Sequence, residues 1–110
     1  MNMDEFIDLC IMCGCDYTQS IGGIGPIKAF SFIEDNRNIE ETLVKIRESN
    51  EDPKKKKKFI IPDNFLYEES RMLFKEPDVI REKPELESLL KWNKPDPDAL
   101  KNFLIEEKGF

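Results

Sequence analysis

A glycine-rich segment in front of a proline decides the fold: Ser20-Ile21-Gly22-Gly23-Ile24-Gly25-Pro26-Ile27-Lys28-Ala29. Proline suits the first turn of a helix, because its missing N–H would have no helical partner there. We therefore predict a loop over residues 15–25 and a helix that begins at Pro26. Glycines leave the backbone N–H groups of such a loop uncovered, so a phosphate can approach the positive end of the helix.

Four residues of this segment are candidate phosphate contacts: Gly22, Gly23, Gly25 and Lys28. The glycines would offer N–H groups, and Lys28 adds a full positive charge in the first helical turn. Such a grip on a nucleic-acid backbone would not read bases. Carbonyl oxygens that converge in the loop would also suit an alkali or alkaline-earth cation. The alternative is a tight connector between two packed helices, because isolated glycine-rich turns are weak signals.

Helical patterns fill most of the remaining sequence, and they predict a mainly α, small helical domain. Capping residues mark the starts of the first and third helices, at Asn2 and Asn38. The predicted helices are Met3–Cys13, one from Pro26, Ile39–Glu48, Asn64–Lys75, a short Glu85–Leu90, and one from Pro97 to about Lys108.

Apolar residues at helical spacing predict the buried faces of these helices. Their sets are Phe6, Leu9, Cys10 and Cys13, widened by Ile7 and Ile11; Ala29, Phe30 and Ile33; Ile39, Leu43 and Ile46; and Leu66, Tyr67, Ser70, Leu73 and Phe74. We accordingly expect Cys10 and Cys13 to be buried free thiols, typical of a reducing compartment. With three cysteines and no histidine in the chain, a structural zinc site is not expected.

The charge balance restricts how the chain could bind nucleic acid. Its net charge is −6 over 110 residues, whereas nucleic-acid-binding domains are usually basic, so any such contact must be local. The run Lys54–Lys58 fits a solvated loop, and its alternatives are a DNA contact or a nuclear localisation signal. No apolar run approaches the roughly 20 residues that span a membrane, so we expect no membrane partner.

Asp16 follows a predicted helix end in the sequence Gly14-Cys15-Asp16-Tyr17. A carboxylate fixed there could bind a metal ion. The alternative is an aspartate that hydrogen-bonds local backbone groups, as aspartates in loops commonly do.

Two longer stretches resemble the flap endonuclease family of structure-specific 5′ nucleases. The first half contributes Asp4-Glu5-Phe6-Ile7-Asp8-Leu9-Cys10-Ile11-Met12-Cys13-Gly14-Cys15-Asp16-Tyr17, followed by Ile21-Gly22-Gly23-Ile24-Gly25-Pro26. The second half contributes Ile61-Pro62-Asp63-Asn64-Phe65-Leu66, Leu73-Phe74-Lys75-Glu76-Pro77-Asp78-Val79, Leu90-Lys91-Trp92-Asn93-Lys94-Pro95 and Lys108-Gly109-Phe110. The resemblance covers nearly the whole chain and is weakest in the lysine-rich stretch.

The resemblance implies specific roles for the residues already singled out. Asp16 would be a catalytic residue and the last acid of a cluster that holds two Mg²⁺ ions. The loop would form a helix–hairpin–helix motif, similar to a helix–three-turn–helix, in which Ser20, Ile21 and Gly23 hold a potassium ion. Gly22, Gly23, Gly25 and Lys28 would then contact the duplex backbone. Ile27 stands where the family often has a second basic residue, which implies a weaker grip.

The resemblance also implies an organisation and a set of partners. We expect residues 1–50 to be the helix–hairpin–helix DNA-binding region, 51–58 a lysine-rich loop, and 59–110 a helical C-terminal part of the nuclease domain. The remaining acids would lie before Met1, in a nuclease core of α/β fold, and a tail that binds the sliding clamp would follow Phe110. Expected partners are duplex and flap DNA and the sliding clamp, in the nucleus and also in mitochondria. The chain alone is expected to be inactive.

Two other functions remain open from the sequence. One is a helix–hairpin–helix module that binds duplex DNA without catalysis. The other is a helical protein-interaction domain with no DNA role.

Overall fold

The computed structural model describes all 110 residues and is mainly helical, as predicted. Its elements are α1 (Met3–Cys13), α2 (Pro26–Asn36), α3 (Ile39–Glu51), α4 (Tyr67–Lys75), α5 (Lys83–Leu89), α6 (Pro97–Lys101) and a π-helical segment, Asn102–Glu107. No strand forms, and two isolated antiparallel bridges join Cys15 to Thr18 and Gly22 to Ile60. The chain divides into two compact units, Met1–Asp78 and Val79–Phe110. None of the helices has the length and apolar character needed to cross a membrane.

The predicted starts of the first three helices are confirmed. Asn2 and Glu5 exchange two hydrogen bonds at the start of α1, at 2.9 and 2.8 Å. At α3, the Asn38 side chain accepts from the N–H of Glu41 at 2.8 Å. Pro26 opens α2. These starts could be predicted because each depends on residues within one helical turn.

The core of the first unit lies between α1, α2, α3 and the glycine loop. Ala29 and Ile33 of α2 are buried, as are Ile39, Leu43 and Ile46 of α3. Ile21 and Ile24 of the loop are also buried, with 2% and 8% of their surface exposed. The two isoleucines therefore anchor the loop in the core and leave the glycines between and after them at the surface.

The buried face of α1 differs from the prediction. Ile7, Ile11 and Met12 are buried, whereas Phe6 is 50% exposed. Our expectation of two buried thiols was wrong, because Cys13 is exposed and Cys10 half-buried, although all three cysteines are free. On α2, Phe30 is likewise 48% exposed.

The burial of Asp8 explains why the buried face of α1 differs from the predicted one. It is buried on this helix, with a relative exposure of 3%. Its carboxylate accepts from the Ile39 N–H, at the start of α3, at 3.0 Å and forms an ion pair with Arg71 of α4. A buried carboxylate needs such partners, so α1 presents Asp8 inward instead of Cys13.

Helix α4 begins three residues later than predicted, at Tyr67. The segment before it is held by another interaction, because the Leu66 N–H donates to the Thr18 hydroxyl at 2.7 Å. Ser70 is buried and donates to the Leu66 carbonyl at 2.6 Å. The expectation that Leu66, Leu73 and Phe74 are buried was wrong, since they are 45%, 41% and 40% exposed.

The second unit has no buried residue of its own. Helix α5 begins two residues earlier than predicted, and Trp92, which follows it, is 99% exposed. Helix α6 starts at Pro97 as predicted, with Asp96 accepting from the Ala99 N–H at 3.0 Å. The predicted last helix reaches Glu107, but its second half is π-helical.

Candidate nucleic-acid interface and metal ligand

Gly22 is fixed by a close approach of two backbone segments. Its N–H donates to the Ile60 carbonyl at 2.7 Å, and the Ile60 N–H donates to the Gly22 carbonyl at 3.0 Å. A Cβ on Gly22 would lie 3.0 Å from that of Ile60, which explains the glycine. This N–H is therefore engaged within the chain.

The next two glycines have different physical reasons. Gly23 has φ +88°, a left-handed conformation that favours glycine, and a Cβ there would lie 3.2 Å from the Phe59 ring. Gly25 has open space around its missing Cβ and precedes Pro26 as the N-cap of α2. No side chain caps α2, and the N–H groups of Gly23 and Gly25 make no backbone hydrogen bond. The loop thus offers uncovered donors at a helix N-terminus.

Lys28 places a positive charge directly on this loop. Its ammonium donates to the Gly23 carbonyl at 3.0 Å and lies 5.1 Å from the centre of the Phe59 ring. The side chain is exposed, so the charge can also reach a ligand in solvent. Phe59 therefore supports both Gly23 and Lys28, a role that its position beside the lysine run did not reveal.

The lysine-rich loop is exposed and tied back to the end of α3. Lys55 donates to the Ser49 hydroxyl at 3.1 Å, and Lys58 donates to the Asn50 carbonyl. The side-chain amide of Asn50 donates to the Phe59 carbonyl and accepts from the Phe59 N–H, both at 2.8 Å. Asn50 thus secures the end of the loop that leads to Phe59.

Asp16 stands in a tight turn closed by the bridge between Cys15 and Thr18. Its side chain is exposed and makes no hydrogen bond or ion pair within the chain. A carboxylate that capped local backbone groups would show such a bond. The arrangement instead leaves both carboxylate oxygens free for a ligand from outside.

Two side chains, those of Thr18 and Tyr17, tie this turn to α4 and the segment before it. The Thr18 hydroxyl donates to the Asn64 carbonyl at 3.1 Å and accepts from the Leu66 N–H at 2.7 Å. The Tyr17 ring meets Phe74 of α4 edge-on, with 5.4 Å between the ring centres. Sequence reasoning missed Thr18, because its partners lie 46 and 48 residues further along the chain.

The acids of this chain fit a metal site only as part of a larger set. No group of three or more His, Cys, Asp or Glu side chains converges in the structure. Asp16 offers hard oxygens of the kind that Mg²⁺ prefers, but one carboxylate does not make a site. In the loop, Ser20 offers a hydroxyl and Ile21 and Gly23 offer carbonyls, which suit a monovalent cation. Both carbonyls are already engaged within the chain: that of Gly23 accepts from the Lys28 ammonium at 3.0 Å, and that of Ile21 accepts from the Ile24 N–H at 3.3 Å. A monovalent cation at Gly23 would have to share or displace the charge of Lys28.

Comparison with known proteins agrees with the resemblance in the sequence motifs. No family model matches the chain. Flap endonuclease 1-2 of Paramecium tetraurelia is 46% identical over 113 residues, which cover the whole chain and 28% of that relative. Flap endonuclease 1 of Tetrahymena thermophila is 44% identical over 110 residues and is also covered to 28%. Flap endonuclease 1 of Glycine max is 44% identical over the whole chain and is covered to 26%. The chain thus spans 26–28% of the length of these curated relatives, and by sequence it belongs to the flap endonuclease family.

Proposed function

We propose that this chain is the part of a structure-specific 5′-flap endonuclease that binds duplex DNA through its glycine loop and supplies Asp16 to the metal site. The observation that carries the proposal is Asp16 itself: exposed, without a partner in the chain, and fixed in a turn closed by a backbone bridge. The parent enzyme would act in DNA replication and repair, as a phosphodiester hydrolase that works at DNA flaps.

DNA binding would use the backbone, with no base readout. The uncovered N–H groups of Gly23 and Gly25 suit phosphate oxygens, and Lys28 adds a charge beside them. Ser20, Ile21 and Gly23 would hold a potassium ion, which would supply positive charge for phosphate binding if Lys28 released the Gly23 oxygen. Because few phosphates are reached and the chain carries a net charge of −6, binding by the chain alone should be weak.

Catalysis would need acids from outside this chain. When bound, two Mg²⁺ ions activate water and stabilise the charge of the phosphodiester transition state. The contribution of this chain is a carboxylate whose backbone is fixed by the turn from Cys15 to Thr18. The other ligands would come from the α/β nuclease core. On the same resemblance, the sliding clamp would be a partner of the parent enzyme, and its location would be nuclear or mitochondrial.

Asp16→Ala in the full-length nuclease tests the proposal. We expect a large loss of single-turnover cleavage of a 5′-flap substrate and nearly unchanged flap binding, because binding depends on many phosphate contacts elsewhere. Asp63→Ala, which removes another exposed turn carboxylate of the same unit, is the matched control and should cleave normally. A normal rate in Asp16→Ala, with a lowered melting temperature, would assign Asp16 a structural role.

One observation favours a second candidate function for the chain by itself. Because no three acids converge, the isolated chain would be a duplex-binding module without catalysis. Salt-dependent duplex binding by the isolated chain, together with normal cleavage by the full-length Asp16→Ala variant, would support this candidate. Absence of any salt-dependent binding would leave a helical interaction domain.

A further inference from the structure

We propose that Thr18 is a positioning residue for Asp16, because its hydroxyl fixes the turn that carries the carboxylate. The proposal rests on the proposed function, in which Asp16 is a metal ligand. Asp16 has no hydrogen bond of its own, so the direction of its side chain depends on the backbone that bears it.

The Thr18 hydroxyl uses both of its hydrogen-bonding capacities across a long sequence separation. It accepts from the Leu66 N–H at 2.7 Å and donates to the Asn64 carbonyl at 3.1 Å. Leu66 is the N-cap residue of α4, so these bonds tie the turn to the beginning of that helix. The Gln19 carbonyl, at 3.4 Å, is a more distant alternative acceptor.

Helix α4 is a firm support for the turn. Arg71 of α4 is ion-paired with the buried Asp8 of α1, at 2.8 Å. Helix α1 ends at Cys13, and Gly14 leads from it into the turn. The turn is thus held at both ends, by α1 through the chain and by α4 through Thr18. The contact between Tyr17 and Phe74 adds an apolar hold beside it.

Loss of the hydroxyl would free one end of this turn and leave Asp16 chemically intact. The carboxylate would then sample orientations in which it does not meet a metal ion held by other acids. Groups that orient metal ligands from outside the coordination sphere typically contribute about 10–100-fold to metal affinity or activity. We therefore expect the effect to appear in the Mg²⁺ requirement of cleavage, which a purely structural residue would leave unchanged.

The test uses the full-length nuclease with two readouts: the Mg²⁺ dependence of single-turnover cleavage of a 5′-flap substrate, and Mg²⁺ binding measured directly by isothermal titration calorimetry, which should weaken in parallel. Thr18→Val keeps the shape of the side chain and removes both hydrogen bonds, and should raise the half-maximal Mg²⁺ concentration about tenfold. Thr18→Ser keeps the hydroxyl and should restore a value near the wild type. If Thr18→Val does not fold, Thr18→Ala removes the same hydroxyl together with the methyl group and carries the same expectation.

Thr42→Val is the matched structural control. Thr42 is fully buried, and its hydroxyl donates to the Asn38 carbonyl at 2.8 Å, far along the chain from Asp16. This variant should be less stable and should keep the wild-type Mg²⁺ requirement. An unchanged requirement in Thr18→Val, or an equal shift in Thr42→Val, would overturn the proposal.

Asp16→Ala, measured in parallel, separates this proposal from the proposed function. If Asp16→Ala cleaves normally, Asp16 is not a metal ligand and the proposed function fails. If Asp16→Ala loses cleavage while Thr18→Val keeps the wild-type Mg²⁺ requirement, only the assignment of Thr18 fails.

Discussion

The guanidinium of Arg71, on α4, donates to both carboxylate oxygens of Asp8, on α1, at 2.8 Å each. The same guanidinium donates to both oxygens of Glu40, on α3, at 2.8 and 3.0 Å. Hydrogen bonds to Glu40 and then to Asp8 raise the pKa of Arg71 above its ordinary value. One cation therefore joins three helices, and one of its two partners, Asp8, has a side chain only 4% exposed.

Arg71→Met should lower the free energy of unfolding of the 110-residue chain by about 3–5 kcal/mol, because it leaves the Asp8 carboxylate buried and unpaired. Lys75→Met is the matched control on the same helix. It removes the ion pair between Lys75 and Asp4, whose two side chains are 42% and 72% exposed, and should change the free energy of unfolding little. Urea denaturation measures both, and similar losses in the two variants would show that burial of Asp8 does not matter.

Glu40 makes part of this stability dependent on pH. The hydrogen bond from Arg71 holds the pKa of Glu40 below its ordinary value of 4.5. The folded state therefore binds this proton less readily than the unfolded state. The contribution is fully present above pH 4.5 and is lost as the pH falls through the lowered value.

Glu40→Gln should remove this pH dependence. The difference in urea midpoint between the wild type and Glu40→Gln should be largest at neutral pH and should shrink as the pH falls below about 4. Glu48→Gln, which removes an exposed ion pair with Lys45, is the control and should change the midpoint little at either pH. A constant difference across the pH range would contradict the role of the Arg71–Glu40 pair.

Substitutions at Gly25 and Gly23 should have different effects on duplex binding and on the free energy of unfolding. Gly25→Leu introduces a side chain into open space at the start of α2, so it should cost less than about 1 kcal/mol and weaken duplex binding strongly. Gly23→Ala forces a Cβ into a left-handed conformation at φ +88°, which should cost about 1–2 kcal/mol of stability.

Fluorescence anisotropy with a labelled duplex measures the binding of these variants across salt concentrations. For the wild-type chain, the slope of log affinity against log salt should lie at about −1 to −3, because the loop reaches few phosphates. Unchanged affinity in Gly25→Leu would place the DNA site elsewhere on the chain.

The purified 110-residue chain should not cleave a 5′-flap substrate in Mg²⁺. Its acids do not converge, and a single carboxylate cannot hold two metal ions in a reactive geometry. A gel assay with excess chain over substrate measures this. Incision at the flap junction that disappears in Asp16→Ala would show a working active site in the chain and contradict the prediction.

The parts of the fold that depend on neighbouring residues could be predicted from the sequence. The capping pair of Asn2 and Glu5 and the proline at position 26 act within one helical turn, and the helices begin where these residues indicate. The face of α1 could not be predicted in the same way. Apolar spacing treats Asp8 as a solvent-facing residue, and the partner that makes its burial favourable, Arg71, lies 63 residues away.

In the candidate site, too, the features set by neighbouring residues could be predicted and those set by distant residues could not. The glycine content of the loop identified it, and the adjacent Gly25 and Pro26 indicate a helix start that no side chain caps. The pairing of Gly22 with Ile60 and the hold of Thr18 on Leu66 join distant segments. No local pattern in a single sequence encodes such pairings, because packing of the whole unit determines which segments meet.

The amide of Asn50 has a consequence for the length of the lysine-rich loop in this chain. The Asn50 side chain hydrogen-bonds both the carbonyl and the N–H of Phe59. The two ends of the lysine-rich loop, Asn50 near the end of α3 and Phe59 next to Gly23, are therefore held together. Lengthening a loop whose ends are already joined costs little, about 0.6 kcal/mol for each doubling. The number of lysines between these points can therefore change by insertion or deletion while the support under the glycine loop stays in place.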